Sequence, residues 1–233
     1  MTDQPVARGG SAAPAPEGEL RPLSTFRRVV ARKMAEAWRT IPAVTLHRSV
    51  PFARLLTARE RLADPTGRKP AIDVLLAIFV GRALAEHPLL NGSWREEERA
   101  VLVHPGRNVA IAADTPQGLS AVVLREADRR PVGELDADLV AMVERARAGR
   151  SLLVDLAEAT FTITNLGGLG VEAFNPIITP PQSAVLGVGA VRPDPPDQRP
   201  ATLSLTFDHR VVDGADAARF LARLAELVSE AAV

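Results

Sequence analysis

The chain contains no cysteine and no tyrosine, and only two of its 28 basic residues are lysines. The absence of cysteine excludes disulfides, thiolate-ligated metals and a cysteine nucleophile. Acidic and basic residues balance at 28 each, so no net charge draws the chain toward nucleic acid or an anionic membrane. We therefore expect neither nucleic acid nor a membrane among its partners.

Long hydrophobic runs are also absent. The longest apolar stretch, residues 74–84, is interrupted by Gly81 and Arg82, which is typical of a buried helix and too short to cross a bilayer. The N-terminal segment lacks the apolar core that a signal peptide requires. Together these absences predict a cytoplasmic location.

The composition that remains is that of a globular protein. The chain has 233 residues, of which 46% are hydrophobic and 24% charged, enough to bury a sizeable core. Residues 1–20 are rich in Ala, Pro, Gly and Ser without periodicity, which predicts a disordered tail or linker. No second linker and no internal repeat follows. The sequence therefore predicts a single domain over residues 21–233.

Hydrophobic periodicity predicts helices interleaved with strands. Period-3.6 patterns predict helices at 25–39, from about 51 to 63, and at 72–86, 132–148 and 215–231. Strand patterns lie at 44–50, 108–113, 119–124, 160–165, 184–191 and 201–207. Short loops join some neighbouring strands, as between 113 and 119. This organisation predicts an α/β fold with a mixed sheet covered by helices.

The chain has only four histidines, and three of them have ordinary structural settings. His47 lies in a predicted strand, His87 at a helix end and His104 before a Pro-Gly turn. No two histidines show the spacing of metal ligands. We therefore predict structural roles for these three residues and no metal site.

His209 stands in a different context. It follows a strand of alternating apolar and hydroxyl residues and precedes the last helix, with Asp213 and Gly214 next in the pattern His-x-x-x-Asp-Gly. An imidazole with a free pKa of about 6.5, held at a rigid strand–helix junction, can take a proton from a thiol or hydroxyl. The same pattern also fits a helix-capping Asp213, a surface turn at His209 and a glycine that permits a tight turn. The pattern alone leaves both interpretations open.

A second segment offers hydroxyl groups in a regular row. Thr160, Thr162 and Thr164 alternate with apolar residues and should share one face of a strand. A positioned hydroxyl can donate a hydrogen bond to a developing oxyanion. Threonine is also simply a good strand residue, and periodicity does not choose among the three.

The nine residues FDHRVVDGA at 207–215 closely resemble the active-site signature of the dihydrolipoyl acyltransferase components of 2-oxoacid dehydrogenase complexes. The chain resembles that family's catalytic domain in several further blocks, in the same order. These blocks are PLS at 22–24, RR at 27–28, RKM at 32–34, TIP at 40–42, HPLLN at 87–91, DTPQGL at 114–119, FTITNLG at 161–167 and ITPPQSA at 178–184. The resemblance implies a two-layer sandwich of the chloramphenicol acetyltransferase type.

The resemblance also implies roles for particular residues. His209 would be the general base, and Thr164 stands where the family usually has a serine that stabilises the oxyanion. Asp213 would be structural and held by Arg27, and Asn91 and Gly214 would shape the site. In this family the site lies between subunits of a trimer, so His209 would face Thr164 of a neighbouring chain.

The family further implies acyl-coenzyme A as cosubstrate and a homotrimer that can build larger assemblies. No pattern in the sequence indicates which residues bind coenzyme A. Complete components of the complexes carry a lipoyl domain and a subunit-binding domain before the catalytic domain. Here only about 20 linker-like residues precede it, and neither Lys33 nor Lys69 has a lipoyl-type context. We therefore expect no covalently attached lipoyl group on this chain.

The acceptor is the part of the function that the motifs leave open. The chain resembles stand-alone relatives of tetronate biosynthesis that acetylate a hydroxyl, which favours O-acetylation of a small-molecule or carrier-bound hydroxyl in secondary metabolism. One alternative is transfer to lipoyl groups on a separate protein, and another is an inactive trimeric scaffold. A peptide-condensing domain is disfavoured because such domains have tandem histidines and two lobes, whereas Asp208 precedes His209 here.

Overall fold

The computed structural model describes residues 18–232. The predicted tail at 1–20 therefore lies outside the described residues except for its last three. The helices are α1 (Thr25–Thr40), α2 (Ala53–Arg61), α3 (Ile72–Glu86), α4 (Val132–Arg147), α5 (Leu153–Leu156) and α6 (Gly214–Glu230). The strands are β1 (Ala43–Pro51), β2 (Gly92–Arg95), β3 (Ala100–Val103), β4 (Val109–Thr115), β5 (Gly118–Leu124), β6 (Phe161–Asn165), β7 (Ala184–Val188) and β8 (Pro200–Asp208).

The main sheet has six strands in the order β1-β8-β7-β6-β4-β5. Strand β6 runs parallel to both β4 and β7, and the other neighbours are antiparallel. This confirms the predicted mixed sheet. A separate hairpin of β2 and β3 follows a short 3-10 turn at Pro88–Asn91. The sequence reading missed this hairpin because each strand has only four residues and shows no clear alternation.

The two faces of the sheet differ in chemistry. On β6, Phe161 and Ile163 point into the hydrophobic core, whereas Thr162 and Thr164 lie on the opposite face. Helices α2, α3, α4 and α6 cover the core face, and α3 is buried along nearly its whole length because it is packed between its neighbours and the sheet. The result is the predicted two-layer arrangement, with a second sheet face that helices do not cover. We call this second surface the open face.

Helix α6 supplies a large part of the core. Phe220 is fully buried, with its ring centroid 6.0 Å from that of Phe161 and 5.8 Å from the His87 ring in an edge contact. We expect Phe220→Ala to lower the free energy of unfolding by about 3–5 kcal/mol, because it leaves a cavity in a close-packed core. Urea denaturation measures this, with Val140→Ala on the exposed side of α4 as control. A loss below about 1 kcal/mol would show that the core closes around the gap.

Helix α1 hardly packs on its own chain. Its N-terminus is capped by Ser24, whose hydroxyl accepts a hydrogen bond from the Arg27 N–H at 3.2 Å. Of its 16 residues only Ala37 is buried, and the large apolar side chains of Phe26 and Trp38 are 48% and 75% exposed. The apolar side of α1 is therefore partly uncovered in the single chain.

Residues 171–182 cross the open face and divide it into two cavities. The larger, about 610 Å³, lies over β4, β5 and β6. The smaller, about 220 Å³, lies between α1, β1 and β8. No helix within residues 18–232 is long and apolar enough to cross a membrane.

Candidate active site

His209 lies directly after the last residue of β8, as predicted. Its backbone N–H donates a hydrogen bond to the Pro42 carbonyl at 3.1 Å, and its ring packs beside that of Phe207 at 5.8 Å between centroids. The side chain is exposed, and its imidazole forms no hydrogen bond with any residue that the structure describes. Both ring nitrogens are therefore free to exchange a proton with a ligand.

The two residues that flank His209 lock the backbone around it. Asp208 is only 2% exposed, and its carboxylate accepts hydrogen bonds from Arg210 Nε at 3.0 Å and Arg210 Nη2 at 2.7 Å. The Asp208 carboxylate thereby raises the pKa of the Arg210 guanidinium above its usual value. The guanidinium also lies 5.4 Å from the centre of the Trp94 ring. Sequence reasoning missed this pair, although opposite charges two residues apart around the histidine were a visible signal.

Asp213 caps the last helix. Its carboxylate accepts hydrogen bonds from the backbone N–H groups of Asp216 and Ala215 at 3.0 and 2.9 Å, and these bonds, led by that of Asp216, lower its pKa. The expected contact with Arg27 is not formed, and among the described residues these two make no ion pair. Both capping bonds are accepted by Asp213 Oδ1. Capping of α6 gives Asp213 a local structural role in the single chain, and the role that the resemblance implied stays a prediction.

Gly214 does not make the tight turn that its position suggested. It is the first residue of α6, and its φ angle lies outside the left-handed region that favours glycine. A methyl group at this position would meet no atom within 4 Å. The turn before α6 is made by residues 209–211, and Asp213 is extended. In the single chain Gly214 borders open space.

Asn91 supports a wall of the larger cavity. It is 2% exposed, and its Nδ2 donates hydrogen bonds to the carbonyls of His104 and Gly106, both at 2.9 Å. His104 Nε2 lies 2.8 Å from the Ser93 hydroxyl, and burial lowers the pKa of His104. Asn91 thus fixes the 104–106 loop that lines this cavity. The site-shaping role that the resemblance implied for Asn91 stays a prediction.

The other two histidines have structural partners. His47 Nδ1 lies 2.8 Å from the Ser204 hydroxyl across β1 and β8, and His87 caps α3 and packs edge-on against Phe220. With His104 bound to Ser93, three of the four imidazoles are engaged within the fold. The His209 ring is exposed and, like the half-buried ring of His87, makes no hydrogen bond with a described residue.

The structure distinguishes among the three threonines of β6 and its approach. The Thr160 hydroxyl bonds to the backbone of Asn108, and the Thr162 hydroxyl donates to Gln182 Oε1 at 2.7 Å. The half-buried Thr164 hydroxyl makes no hydrogen bond to any residue in the described range. Thr164 is therefore the threonine that is free to donate to a ligand, which periodicity could not decide.

The residue after Thr164 anchors the end of β6. Asn165 Nδ2 donates to Asp73 Oδ1 at 2.8 Å, and Asn165 Oδ1 accepts from the Gly167 N–H at 2.9 Å. Burial raises the pKa of Asp73, against the opposing effects of the Asn165 hydrogen bond and the nearby Arg59. One amide side chain thus ties the strand end to both α3 and the following loop. Sequence reasoning did not identify Asp73, because its partner is distant along the chain.

His209 and Thr164 cannot meet within one chain. In the sheet, Thr164 is in register with Gly187, which is in register with Ser204. His209 is five residues beyond Ser204, so two interstrand steps and five extended residues place the two Cα atoms roughly 19 Å apart. That separation is several times the length of a hydrogen bond. A site that uses both groups needs a second copy of the chain.

Curated relatives carry the same domain within longer proteins. A dihydrolipoyllysine-residue acetyltransferase component of an acetoin cleaving system from Bacillus subtilis is 33% identical over 222 residues, which is 91% of this chain and 55% of the relative. The corresponding component of the pyruvate dehydrogenase complex of the same bacterium is also 33% identical and matches over 53% of its length. The chain therefore spans about half the length of the curated relatives that it matches.

Solved structures confirm the fold. A truncated catalytic core of the 2-oxoacid dehydrogenase multienzyme complex from Thermoplasma acidophilum matches with a TM-score of 0.87 at 31% identity, over 93% of this chain and 100% of that one. A chloramphenicol acetyltransferase matches with a TM-score of 0.51 at 10% identity, over 86% of this chain and 93% of that one, which shows the shared fold alone.

A third structure bears on the residues of the site. Dihydrolipoamide acetyltransferase from Azotobacter vinelandii matches with a TM-score of 0.84 at 30% identity, over 94% of this chain and 98% of that one. In that protein a serine, a histidine and an asparagine four residues after the histidine were investigated for their role in the catalytic mechanism.

The sequence itself matches one family over residues 15–233, that of the 2-oxoacid dehydrogenases acyltransferase (catalytic domain). The fold agrees with this match throughout the described range, and the signature around His209 lies at the predicted strand–helix junction. The chain belongs to the catalytic-domain family of the 2-oxoacid dehydrogenase acyltransferases.

Proposed function

We propose that this protein transfers an acyl group between coenzyme A and a thiol or hydroxyl acceptor, with His209 as general base and Thr164 as oxyanion donor. The observation that carries the proposal is the pair of uncommitted groups, the free imidazole of His209 and the free hydroxyl of Thr164. The investigated residues of the Azotobacter vinelandii relative support it, because their histidine and asparagine have the spacing of His209 and Asp213.

The mechanism is direct transfer. His209 takes the proton of the acceptor, and the acceptor sulfur or oxygen attacks the thioester carbonyl. Thr164 donates a hydrogen bond to the oxyanion of the tetrahedral intermediate, which then expels the coenzyme A thiolate. The protonated His209 returns its proton to that thiolate. We expect no acyl-enzyme, because the His209 ring makes no hydrogen bond with a serine or threonine of its own chain among the described residues and Thr164 is assigned to the oxyanion.

The proposal requires association of chains. Two observations support a homotrimer in which His209 of one chain faces Thr164 of the next: the separation of about 19 Å within a chain, and the partly uncovered apolar side of α1. Light scattering should then give at least three times the chain mass of 24.9 kDa. A monomer would contradict the shared site. Assembly of trimers into larger particles stays a prediction.

The first acceptor that we propose is a dihydrolipoyl thiol carried on a separate domain or chain. Its support is the activity named for the relatives, which are dihydrolipoyllysine-residue acetyltransferases at 33% identity. The lipoyl group would enter from outside the described fold. This reverses the order of preference that the sequence alone indicated.

A hydroxylated small molecule, or a hydroxyl on a carrier, is the second candidate. One observation favours it: the larger cavity lies on the same face of the sheet as Thr164. Polar and small side chains line this cavity. Its wall includes Thr160, Thr162, Gln182, His104, Ala110 and Ala121. A cavity of about 610 Å³ is large enough to hold a small-molecule acceptor. This acceptor class corresponds to the tetronate-type O-acetylation that the sequence resemblance indicated.

The test is turnover of acetyl-coenzyme A by the purified protein, followed by release of free thiol or by mass spectrometry. One arm uses dihydrolipoamide and the other a panel of hydroxylated small molecules. Turnover with dihydrolipoamide supports the first acceptor, and turnover with a hydroxyl compound supports the second. If neither acceptor reacts and calorimetry shows no coenzyme A binding, the enzyme assignment fails and the scaffold alternative gains support.

The ion pair between Asp208 and Arg210, on either side of His209, gives a further prediction. We expect Arg210→Lys to lower kcat by up to about 10²-fold with KM nearly unchanged, because lysine keeps the charge but cannot hold Asp208 with a planar fork. Steady-state kinetics measure the effect. Arg219→Lys, which alters an exposed pair with Asp216 on α6, is the matched control. Equal rates for both variants and the unmodified enzyme would remove Arg210 from any positioning role.

A further inference from the structure

Strand β6 loses one of its two neighbours before it ends. Its register with β4 stops at Ile163, although β4 itself continues to Thr115, whereas its register with β7 continues to Asn165. Thr164 and Asn165 are therefore paired on one side only. Backbone with fewer interstrand hydrogen bonds opens more easily than the centre of a sheet. The proposed oxyanion donor thus lies at a point of the strand that needs support from elsewhere.

The side chain of Asn165 supplies that support. Alternation along β6 directs it to the core side of the sheet, opposite to Thr164. Its Nδ2 donates a hydrogen bond to Asp73 Oδ1 at 2.8 Å, and its Oδ1 accepts one from the Gly167 N–H at 2.9 Å. Both polar ends of the amide are thus held, which fixes the residue that directly follows Thr164.

Asp73 holds this amide from a rigid base. It lies in the first turn of α3, and the three residues that follow it are fully buried: Val74, Leu75 and Leu76. Helix α3 therefore resists displacement, because a shift would open the close-packed core. An acidic residue in the first turn of a helix also gains from the helix dipole, which is a purely structural benefit. The bond to Asn165 adds a contact that the dipole does not require and that leads to Thr164.

We propose that Asp73 is a positioning residue, which acts through Asn165 to hold the Thr164 hydroxyl where the oxyanion forms. This inference rests on the proposed function and extends it to a residue on the other side of the sheet. Asp73 touches no reacting atom. It works by geometry, because an oxyanion donor must lie about 2.7–3.1 Å from the oxyanion. A displacement of about 1 Å at such a group can lower the rate about 10²-fold.

Loss of the Asp73 carboxylate should therefore lower kcat. We expect a loss of about 10–10²-fold in Asp73→Ala with the KM for acetyl-coenzyme A nearly unchanged, because the displaced group acts in the transition state. Asp73→Asn keeps an acceptor oxygen for the Asn165 amide and should retain most of the activity. Steady-state kinetics of the two variants, with an acceptor that the unmodified enzyme uses, measure both effects. A kcat of Asp73→Ala equal to that of the unmodified enzyme would overturn the proposal.

A structural role alone would also lower activity, so the decisive readout is a comparison in two backgrounds. Asp73→Ala is introduced into the unmodified enzyme and into Thr164→Val, and kcat is measured in all four proteins. If Asp73 acts through the Thr164 hydroxyl, its removal should change kcat by less than about 3-fold once that hydroxyl is gone. The same loss in both backgrounds would show that Asp73 only supports the fold and would overturn the proposal.

Asp155→Ala is the matched control. Asp155 is also a buried carboxylate in the first turn of a helix, α5, and it accepts hydrogen bonds from Arg145 and from the Leu152 N–H. Its removal should lower stability and leave the kcat of the folded enzyme near normal, because its partners do not lead to Thr164. Urea denaturation and light scattering verify the folding and assembly of every variant.

The failures can be told apart. If the unmodified enzyme turns over no acyl-coenzyme A, the proposed function fails and this inference fails with it. If Thr164→Val is slow but Asp73→Ala causes the same loss with and without the Thr164 hydroxyl, only the role of Asp73 is overturned. If Asp73→Ala does not fold, Asp73→Ser takes its place, because serine suits the start of a helix but is too short to hold the Asn165 amide. Equal losses in both backgrounds then overturn the inference.

Discussion

His209→Ala is expected to lower kcat by about 10²–10⁴-fold, the usual contribution of a general base. The two acidic residues that come closest to His209 along the chain are both engaged elsewhere. Asp208 is buried and held by Arg210, and Asp213 is engaged by two backbone N–H groups of α6. Without the imidazole the acceptor must ionise before it attacks. Steady-state rates with acetyl-coenzyme A and the best acceptor measure the loss.

The matched control removes a different imidazole. His87→Ala deletes a ring that packs on Phe220 and should lower stability while the rate of the folded enzyme stays near normal. A free thiol acceptor assayed at higher pH should recover part of the activity of His209→Ala, because the thiolate needs no base. A rate that is unaffected by His209→Ala would remove this residue from the mechanism.

Thr164→Val is expected to lower kcat by about 10²–10³-fold, the cost of losing one oxyanion donor. Valine keeps the branched shape of threonine and removes only the hydroxyl, so binding of substrates should change little. The effect belongs to kcat because the hydrogen bond forms fully only in the transition state. Steady-state kinetics with acetyl-coenzyme A test this prediction, because kcat should fall while KM stays nearly unchanged.

The neighbouring threonine provides a control of identical chemistry. Thr162→Val removes a hydroxyl that is already bonded to Gln182, and we expect it to change kcat far less than Thr164→Val does. Thr164→Ser restores the hydroxyl without the methyl group and should keep most of the activity. Equal losses from the two valine variants would show that the oxyanion donor lies elsewhere.

The regular elements could be predicted from the sequence because their periodicity is local. The predicted helix at 72–86 coincides with α3, and most other bounds agree within one or two residues. Strand β7 ends earlier than predicted, at Val188, because Gly189 passes directly against the Glu172 carbonyl and the chain leaves the sheet. The predicted helix at Pro51 begins at Ala53, because Pro51 is still paired with Pro200 at the end of β1.

The site was predictable in part. His209 and Thr164 follow from the motifs together with strand alternation, but periodicity treats Thr160, Thr162 and Thr164 alike. Only the long-range bonds of Thr160 to Asn108 and of Thr162 to Gln182 distinguish them. The resemblance assigned Arg27 to Asp213, whereas in the single chain Asp213 Oδ1 accepts two bonds from the N-terminus of α6. Contacts between residues distant along the chain, or on different chains, are not contained in local patterns.

The most direct test of the shared site is complementation between two inactive variants. Chains with Thr164→Val and chains with His209→Ala carry different affinity tags, are produced together, and are purified over both tags so that every trimer is a hybrid. Each hybrid trimer contains one interface with an intact His209 and an intact Thr164, so we predict roughly one third of the normal rate per trimer. Hybrids that are verified by mass and remain as inactive as the two parents would contradict a site shared between chains.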